Sequence, residues 1–196
     1  ILLVEPPKSP VPIGGEDIFL FEPLALEYVA AGVIGEHDVR ILDMRLDKGL
    51  HSMLEDFVPE IVGFTAYTVH VNTVRQLARD IKSWNRDTLT VVGGHHATVA
   101  PADFLAPEID LVVAGEGIEP LREIVRRYES GQGFEGIPGL VVRSEQGCAI
   151  LDAPSKIDLD AAPFPIRSLT AQYRRHYYCE WMKPLASMRT SKGCPF

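Results

Sequence analysis

Short apolar runs alternate along this chain with segments in which apolar residues recur every three or four positions. The runs predict strands at residues 1–5, 39–42, 61–65, 89–92 and 111–114. The helical spacing predicts helices at residues 23–34, 48–57, 71–84, 101–105 and 120–129. In the third of these helices, Val74, Leu77 and Ile81 fall on one face, as an amphipathic helix requires.

This alternation of strands and helices predicts an α/β fold. Strands that are joined by helices form parallel sheets through right-handed crossovers. Five such units predict a doubly wound, five-stranded, flavodoxin-like sheet with the strand order 2-1-3-4-5. We expect this domain to span residues 1–135.

The pattern changes after the last predicted helix. Strands at 139–143 and 148–151 flank a polar turn and predict a β-hairpin, which we assign to residues 136–152. Residues 153–168 are rich in proline and acids and predict a linker. Residues 169–196 are aromatic and basic, and we interpret them as the start of a second domain. The chain lacks an initial Met and stops at Phe196, so we interpret it as part of a longer protein.

Composition narrows the classes of function. The 196 residues are 46% hydrophobic and carry a formal net charge of −8. This charge argues against a general nucleic-acid surface, which needs clustered Lys and Arg. No apolar stretch approaches the length of a membrane span. The three cysteines lie far apart and form no disulfide framework, which favours a reducing, cytoplasmic setting.

A glycine pair followed by two histidines, residues 93–96, ends the fourth predicted strand. Backbone can approach a ligand closely at glycine, because no Cβ intervenes. In open α/β sheets, ligands bind beyond the carboxyl ends of the strands, at the point where the strand order reverses. The predicted order brings the loops at 6–17, 66–69 and 93–98 together there, with residues 115–117 at one side.

Three common ligand classes lack their sequence signatures in these loops. A dinucleotide site needs a glycine-rich turn after the first strand, but residues 5–10 contain no glycine. The chain contains no P-loop. A phospho-acceptor receiver needs an Asp at the end of the third strand, where Phe64 and Thr65 stand. The small side chains that remain favour a bulky, largely neutral ligand with an inserted tail.

Three segments carry a family resemblance: residues 65–68 (TAYT), 91–96 (VVGGHH) and 114–120 (AGEGIEP). In this order they resemble the cobalamin (B12)-binding domain of B12-dependent radical S-adenosylmethionine proteins, such as those similar to anaerobic magnesium-protoporphyrin IX monomethyl ester cyclase. Residues 157–165 are similar to the linker of that family. Residues 189–196 are similar to the run into its C-x-x-x-C-x-x-C cluster motif.

The resemblance implies a set of cofactor-binding residues. They are Thr65, Ala66, Tyr67, Thr68, Val69, Gly93, Gly94, His95, His96, Gly115, Glu116 and Gly117. In the family the paired glycines lie against the nucleotide tail of cobalamin, so we expect Gly94→Leu to abolish binding by filling the path of the tail. Residues 6–17 contain no His, which implies a base-off cofactor without a His ligand from the first loop.

The same resemblance implies what the full-length protein does. Cys194 would be the first of three thiolates that hold a [4Fe-4S] cluster, at which S-adenosylmethionine binds. The other two cysteines would lie beyond Phe196, so this segment is not expected to be catalytic without its radical S-adenosylmethionine barrel. The expected reaction is methyl transfer to, or ring formation on, an unactivated carbon of a small-molecule substrate. The alternative is a non-catalytic cobalamin-binding or regulatory module of flavodoxin-like fold.

Three further groups have simpler expected roles. We expect Glu27, Glu123 and Glu129 to form a solvated face. We expect His70 to be a polar surface residue at the start of a helix. We expect Cys148 and Cys179 to be inert thiols rather than ligands.

Overall fold

The computed structural model describes residues 1–9, 18–144, 147–151 and 162–190. The strands are β1 (Leu2–Glu5), β2 (Phe19–Leu20), β3 (Arg40–Asp43), β4 (Ile61–Thr65), β5 (Leu89–Gly93), β6 (Leu111–Val112), β7 (Val141–Ser144), β8 (Gly147–Ile150) and β9 (Tyr178–Cys179). The α-helices are α1 (Leu24–Ala31), α2 (Leu50–Phe57), α3 (Val71–Trp84), α4 (His95–Val99) and α5 (Ile118–Ser130). Short 3₁₀ helices cover Thr68–His70, Pro101–Phe104 and Arg167–His176.

Five strands form one parallel sheet in the order β3-β1-β4-β5-β6. This is the predicted order 2-1-3-4-5, so the flavodoxin-like fold is confirmed. β4 and β5 pair in register from Ile61 opposite Leu89 to Thr65 opposite Gly93. Thr65 and Gly93 therefore end side by side at the carboxyl edge of the sheet.

The sheet buries a hydrophobic core on each face because its side chains alternate in direction. One face, with Val62 and Val92, packs against α2 and α3. The opposite face, with Leu3 and Val91, packs against α1 and α5. Strands that are buried on both faces read as continuous apolar runs, which is why they were visible in the sequence.

Two elements after β5 differ from the prediction. The chain forms α4 at His95–Val99, where we predicted a loop, and the predicted helix at 101–105 is a 3₁₀ turn at Pro101–Phe104. Both pieces are shorter than two helical turns, so neither shows a full hydrophobic period. β6 is also shorter than predicted: its parallel pairing with β5 ends at Val112 opposite Val92, and Val113 forms an antiparallel bridge to Leu140.

The C-terminal part of the chain packs onto the sheet domain. β7 and β8 form the predicted antiparallel hairpin. β9 pairs antiparallel with β2, and the 3₁₀ helix Arg167–His176 contacts α1 and β3. Residues 153–161 of the predicted linker lie outside the described residues, and the proposed domain boundaries remain predictions.

The described helices include no candidate for a membrane-crossing segment. None of them is both long enough and apolar enough to cross a bilayer.

Candidate cofactor site

A cavity of about 930 Å³ opens at the carboxyl edge of the sheet, between the sheet and helices α1 and α5. Its floor is formed by Leu3, Gly63, Val91 and Val113. α1 contributes one side and α5 contributes the other. This volume is in the range of cofactor and small-molecule sites. The cavity therefore lies at the predicted edge and penetrates one of the two cores.

Gly93 creates open space at the floor of this cavity. A Cβ built on Gly93 would meet no atom closer than the Val113 carbonyl oxygen, at 3.7 Å. Gly63, on the neighbouring strand, is more confined, because a Cβ there would lie 2.9 Å from Leu3 Cδ2. A ligand can thus approach the sheet backbone directly at Gly93, where any larger residue would occupy the cavity.

Gly94 has a different role. Its φ of +95° is a conformation that L residues rarely adopt, and its ψ is −168°. A Cβ on Gly94 would lie 2.6 Å from Thr65 Oγ1 and 2.8 Å from the Ala66 nitrogen. The missing side chain faces the loop after β4 and not the open cavity. The expectation that a side chain at Gly94 would extend into open space is therefore wrong, because it would meet Thr65 and Ala66, whereas a side chain at Gly93 would enter the cavity.

The cavity brings together eight of the twelve predicted cofactor-binding residues. They are Thr65, Tyr67, Gly93, Gly94, His95, Gly115, Glu116 and Gly117. The other four predicted residues, Ala66, Thr68, Val69 and His96, do not line it. Tyr67 and His95 stand at its edge, with ring centroids 6.1 Å apart, and Tyr67 is 56% exposed.

His96 is a buried structural residue. Its Nδ1 is 3.0 Å from the Thr68 hydroxyl and its Nε2 is 2.9 Å from an Asp103 carboxylate oxygen. Its ring packs edge-on against Phe104, with 5.6 Å between the centroids. Both ring nitrogens are thus engaged within the protein. His96 links the loop after β4 to the 3₁₀ turn after α4, and neither nitrogen is left for a metal.

The expectation that His70 is a surface residue is wrong. His70 is only 4% exposed, and its Nδ1 accepts a hydrogen bond of 3.4 Å from the Tyr67 N–H. Its Nε2 has no hydrogen-bond partner among the described residues. Burial lowers the pKa of His70, and the nearby Arg45 lowers it further. A neutral imidazole therefore supports the turn that carries Tyr67.

Buried charged residues meet where β1 and β3 end, and sequence reasoning did not identify them. Arg45 donates to the fully buried Asp43 from Nε at 2.8 Å and from Nη2 at 2.6 Å. The Tyr177 hydroxyl donates to the same carboxylate at 3.2 Å. Burial raises the pKa of neighbouring Glu5 to about 7, although Arg45 opposes the shift. The sequence marks this cluster in one way only: the apolar strands β1 and β3 each end in an acidic residue, Glu5 and Asp43.

The expectation that Glu27 is exposed to solvent is also wrong. Glu27 is fully buried on α1, and its Oε1 accepts a hydrogen bond from the Thr170 hydroxyl. Burial raises the pKa of Glu27, while the hydrogen bond from Thr170 opposes the shift. Glu129, by contrast, is exposed as predicted.

The described residues hold no cluster of three or more His, Cys, Asp or Glu side chains suited to a metal ion. Cys194, the predicted cluster ligand, lies outside the described residues. Cys148 and Cys179 are partly buried free thiols. The metal assignment at Cys194 therefore stays a prediction.

Comparison with known proteins identifies curated relatives of the chain. It is 32% identical over 89% of its length to the uncharacterized methyltransferase PH0819 of Pyrococcus horikoshii. It is 30% identical over 95% to the hopanoid C-3 methylase of Methylococcus capsulatus, and 28% identical over 83% to the anaerobic magnesium-protoporphyrin IX monomethyl ester cyclase of Cereibacter sphaeroides. The matches cover 39%, 37% and 28% of these three proteins, so the chain spans well under half of each relative.

The fold also matches solved structures. The cobalamin-dependent S-adenosylmethionine radical enzyme OxsB, solved with aqua-cobalamin and S-adenosylmethionine bound, superposes with a TM-score of 0.68. The match covers 88% of this chain and 25% of that one, at 17% sequence identity. The sequence profile of the B12 binding domain matches residues 13–125, more than half of the chain. The chain therefore belongs to the B12-binding domain family.

Proposed function

We propose that this chain binds cobalamin and that the cavity beside Gly93 receives the nucleotide tail of the cofactor. The observation that carries the proposal is the position of this cavity: it opens at the carboxyl edge of the sheet and extends over a glycine floor between α1 and α5. Cobalamin is a flat macrocycle with a long appended tail. Such a ligand fits a cavity like this one, which is deep, largely apolar at its floor and open at one end.

The residues of the cavity suit each part of such a ligand. Leu3, Val91 and Val113 offer an apolar floor to an aromatic base. Tyr67 and His95 stand at the rim, where they are available to the macrocycle. The role of this chain is to bind the tail, exclude water from it and orient the macrocycle at the sheet edge.

We further propose that the cofactor binds in its base-off form. If the tail occupies the cavity, its base lies away from the cobalt and cannot coordinate it. Residues 6–17 contain no His, and both nitrogens of His96 are engaged by Thr68 and Asp103. The chain therefore offers no histidine from the first loop or from His96 as a replacement ligand.

In the full-length protein this domain would serve a radical S-adenosylmethionine enzyme that transfers a methyl group to, or forms a ring on, an unactivated carbon. The names of two relatives, a methylase and a cyclase, support this proposal. Bound cobalamin would supply organometallic chemistry that amino-acid side chains lack. Cys194 would be the first ligand of a [4Fe-4S] cluster.

A visible-spectrum titration tests cobalamin binding. Hydroxocobalamin is added to the purified chain, and the spectrum is followed until it saturates. We expect saturable conversion to a base-off spectrum. A spectrum that stays that of free, base-on cobalamin at all protein concentrations would contradict the proposal. The alternative, a non-catalytic regulatory module, would also bind cobalamin, but it predicts no cluster motif in the residues that follow Phe196.

A further inference from the structure

The cavity has a wall that the B12-binding match does not include. Residues 162–190, which we call the strap, lie beyond the matched residues 13–125. Five strap residues line the cavity: Ala162, Pro163, Phe164, Arg189 and Thr190. They come from the two ends of the strap, which therefore meet at the same opening.

Glu22 holds both ends of the strap. Its side chain, 6% exposed, precedes α1 and accepts hydrogen bonds at Oε1 from the Ser187 N–H at 2.6 Å and from the Ser187 hydroxyl at 3.1 Å. The Arg167 guanidinium forms an ion pair with the same carboxylate and also donates to the Ser187 carbonyl. One carboxylate thus fixes two points that are 20 residues apart in the strap.

Helix α1 provides a second attachment through Glu27. The Thr170 hydroxyl donates to its buried side chain, and the Ile166 N–H donates to its backbone carbonyl at 3.1 Å. α1 also carries Tyr28, whose ring centroid is 5.8 Å from the Arg189 guanidinium carbon. The strap is therefore attached to the same helix that forms one side of the cavity.

The attachment points lie directly beside the strap residues that line the cavity. Ile166 and Arg167 follow residues 162–164, and Ser187 precedes Arg189 by two positions. These hydrogen bonds anchor the chain within a few residues of each lining segment and so restrain both segments beside the cavity. The geometry points to a cofactor site that includes the strap, in which Glu22 is the positioning residue that keeps the strap against the tail of the ligand.

This inference rests on the proposed binding of cobalamin and adds a prediction about which part of the ligand the strap contacts. The strap is attached to α1, which forms one side of the tail cavity, and to Glu22 just before it, whereas Tyr67 follows β4. Loss of its attachment should therefore weaken binding of cobalamin and spare binding of cobinamide, which has the macrocycle but lacks the nucleotide base.

The test compares Glu22→Met with Glu123→Met. Methionine keeps the length of glutamate and accepts no comparable hydrogen bond. Glu123 is the control, because its carboxylate also has two partner residues, Arg126 and Arg127, but lies on α5 and away from the strap. Trypsin cleavage within the strap, after Arg174 or Arg175, reports its detachment, and titrations give the dissociation constants for cobalamin and cobinamide.

We expect Glu22→Met to speed cleavage of the strap and to weaken cobalamin binding about tenfold, as the loss of several hydrogen bonds to a charged group implies. Cobinamide binding and the Glu123→Met variant should be unchanged. Arg167→Met, which keeps Glu22, should show the same pattern more weakly if Glu22→Met fails to fold.

Two results would overturn the inference. In the first, the strap is cleaved faster but cobalamin affinity stays at the wild-type value, so the strap is no part of the site. In the second, cleavage is unchanged, so Glu22 does not position the strap. A wild-type chain that binds neither compound would instead contradict the proposed function itself, and with it the inference built on it.

Discussion

Gly94 packs directly against Ala66, so closely that a Cβ on Gly94 would lie 2.8 Å from the Ala66 nitrogen. The His96 N–H continues this contact by donating to the Ala66 carbonyl oxygen at 2.9 Å. The loops that follow β4 and β5 are therefore joined backbone to backbone at the edge of the cavity. The two glycines of the motif have different roles: Gly94 permits this contact, and Gly93 leaves the cavity open.

Gly94→Ala should destabilise the fold. The substitution combines a φ of +95° with a clash against Thr65 and Ala66, and we expect the free energy of unfolding to fall by about 2 kcal/mol. Urea denaturation measures this change, with Gly35→Ala as the control, because a Cβ on Gly35 meets no atom within 4 Å. Equal stability of the two variants would contradict the account of Gly94.

Gly93→Leu should have the complementary effect. The side chain has room to enter the cavity, so we expect the chain to fold and its affinity for hydroxocobalamin to fall at least about tenfold. The titration is compared with that of Gly35→Ala, and urea denaturation confirms that both are folded. Wild-type affinity in a folded Gly93→Leu variant would show that the ligand does not approach the floor of the cavity.

Stability should depend on pH through Glu5. Burial raises its pKa to about 7 from the ordinary 4.5, beside Asp43 and Arg45. The folded chain then keeps a proton that the unfolded chain releases, so the contribution to stability is lost as the pH rises from 4.5 towards 7 and is level above that range. The full effect of this shift is on the order of 3 kcal/mol.

Glu5→Gln tests this dependence, because the amide does not titrate. Unfolding free energies at about pH 5 and about pH 8 should differ less in the variant than in the wild-type chain. If the two proteins show the same difference, Glu5 is ionised in the folded chain and its pKa is not raised.

Arg45→Met should be strongly destabilising. It leaves the Asp43 carboxylate buried with only the Tyr177 hydroxyl as a side-chain partner among the described contacts. Removal of one partner from a buried ion pair costs about 3 kcal/mol or more. Arg126→Met is the control, since its pairing with Glu123 is exposed to solvent, and its stability should be nearly that of the wild type. A similar stability for both variants would argue that Asp43 does not depend on Arg45.

Arg189 brings a positive charge to the cavity that should favour the phosphodiester of the cobalamin tail. Arg189→Gln is expected to weaken cobalamin binding about fivefold, the scale of one partly solvated charged contact. Isothermal titration measures the change, with Arg86→Gln, at the opposite edge of the sheet, as the control. Equal losses in the two variants would mean that only the net charge of the chain matters.

The fold was predictable where local periodicity is strong. Helix α3 has four turns of clear amphipathic spacing and was predicted with its observed bounds, Val71–Trp84. Helix α4 was missed, because its five residues are too few to show a period. The cavity was predictable at Gly93, since glycine at a strand end is an unusual local feature.

Other parts of the site could not be predicted because they depend on distant contacts. Glu27 looks like a surface residue in its own helix, and its burial follows from Thr170, 143 residues later. Glu22 and Ser187 are 165 residues apart, and no local pattern marks their pairing. His96 was expected among the cofactor-binding residues, and only the positions of Thr68 and Asp103 show that its ring is engaged within the protein.

The central claim is that the cavity between the sheet and helices α1 and α5 holds the nucleotide tail of cobalamin. The most direct measurement is a crystal structure of the chain with hydroxocobalamin bound. We predict density for the base of the tail against Gly93 and beneath the strap. Density that places the base on the cobalt, or the tail outside a cavity that remains filled only by solvent, would contradict the account.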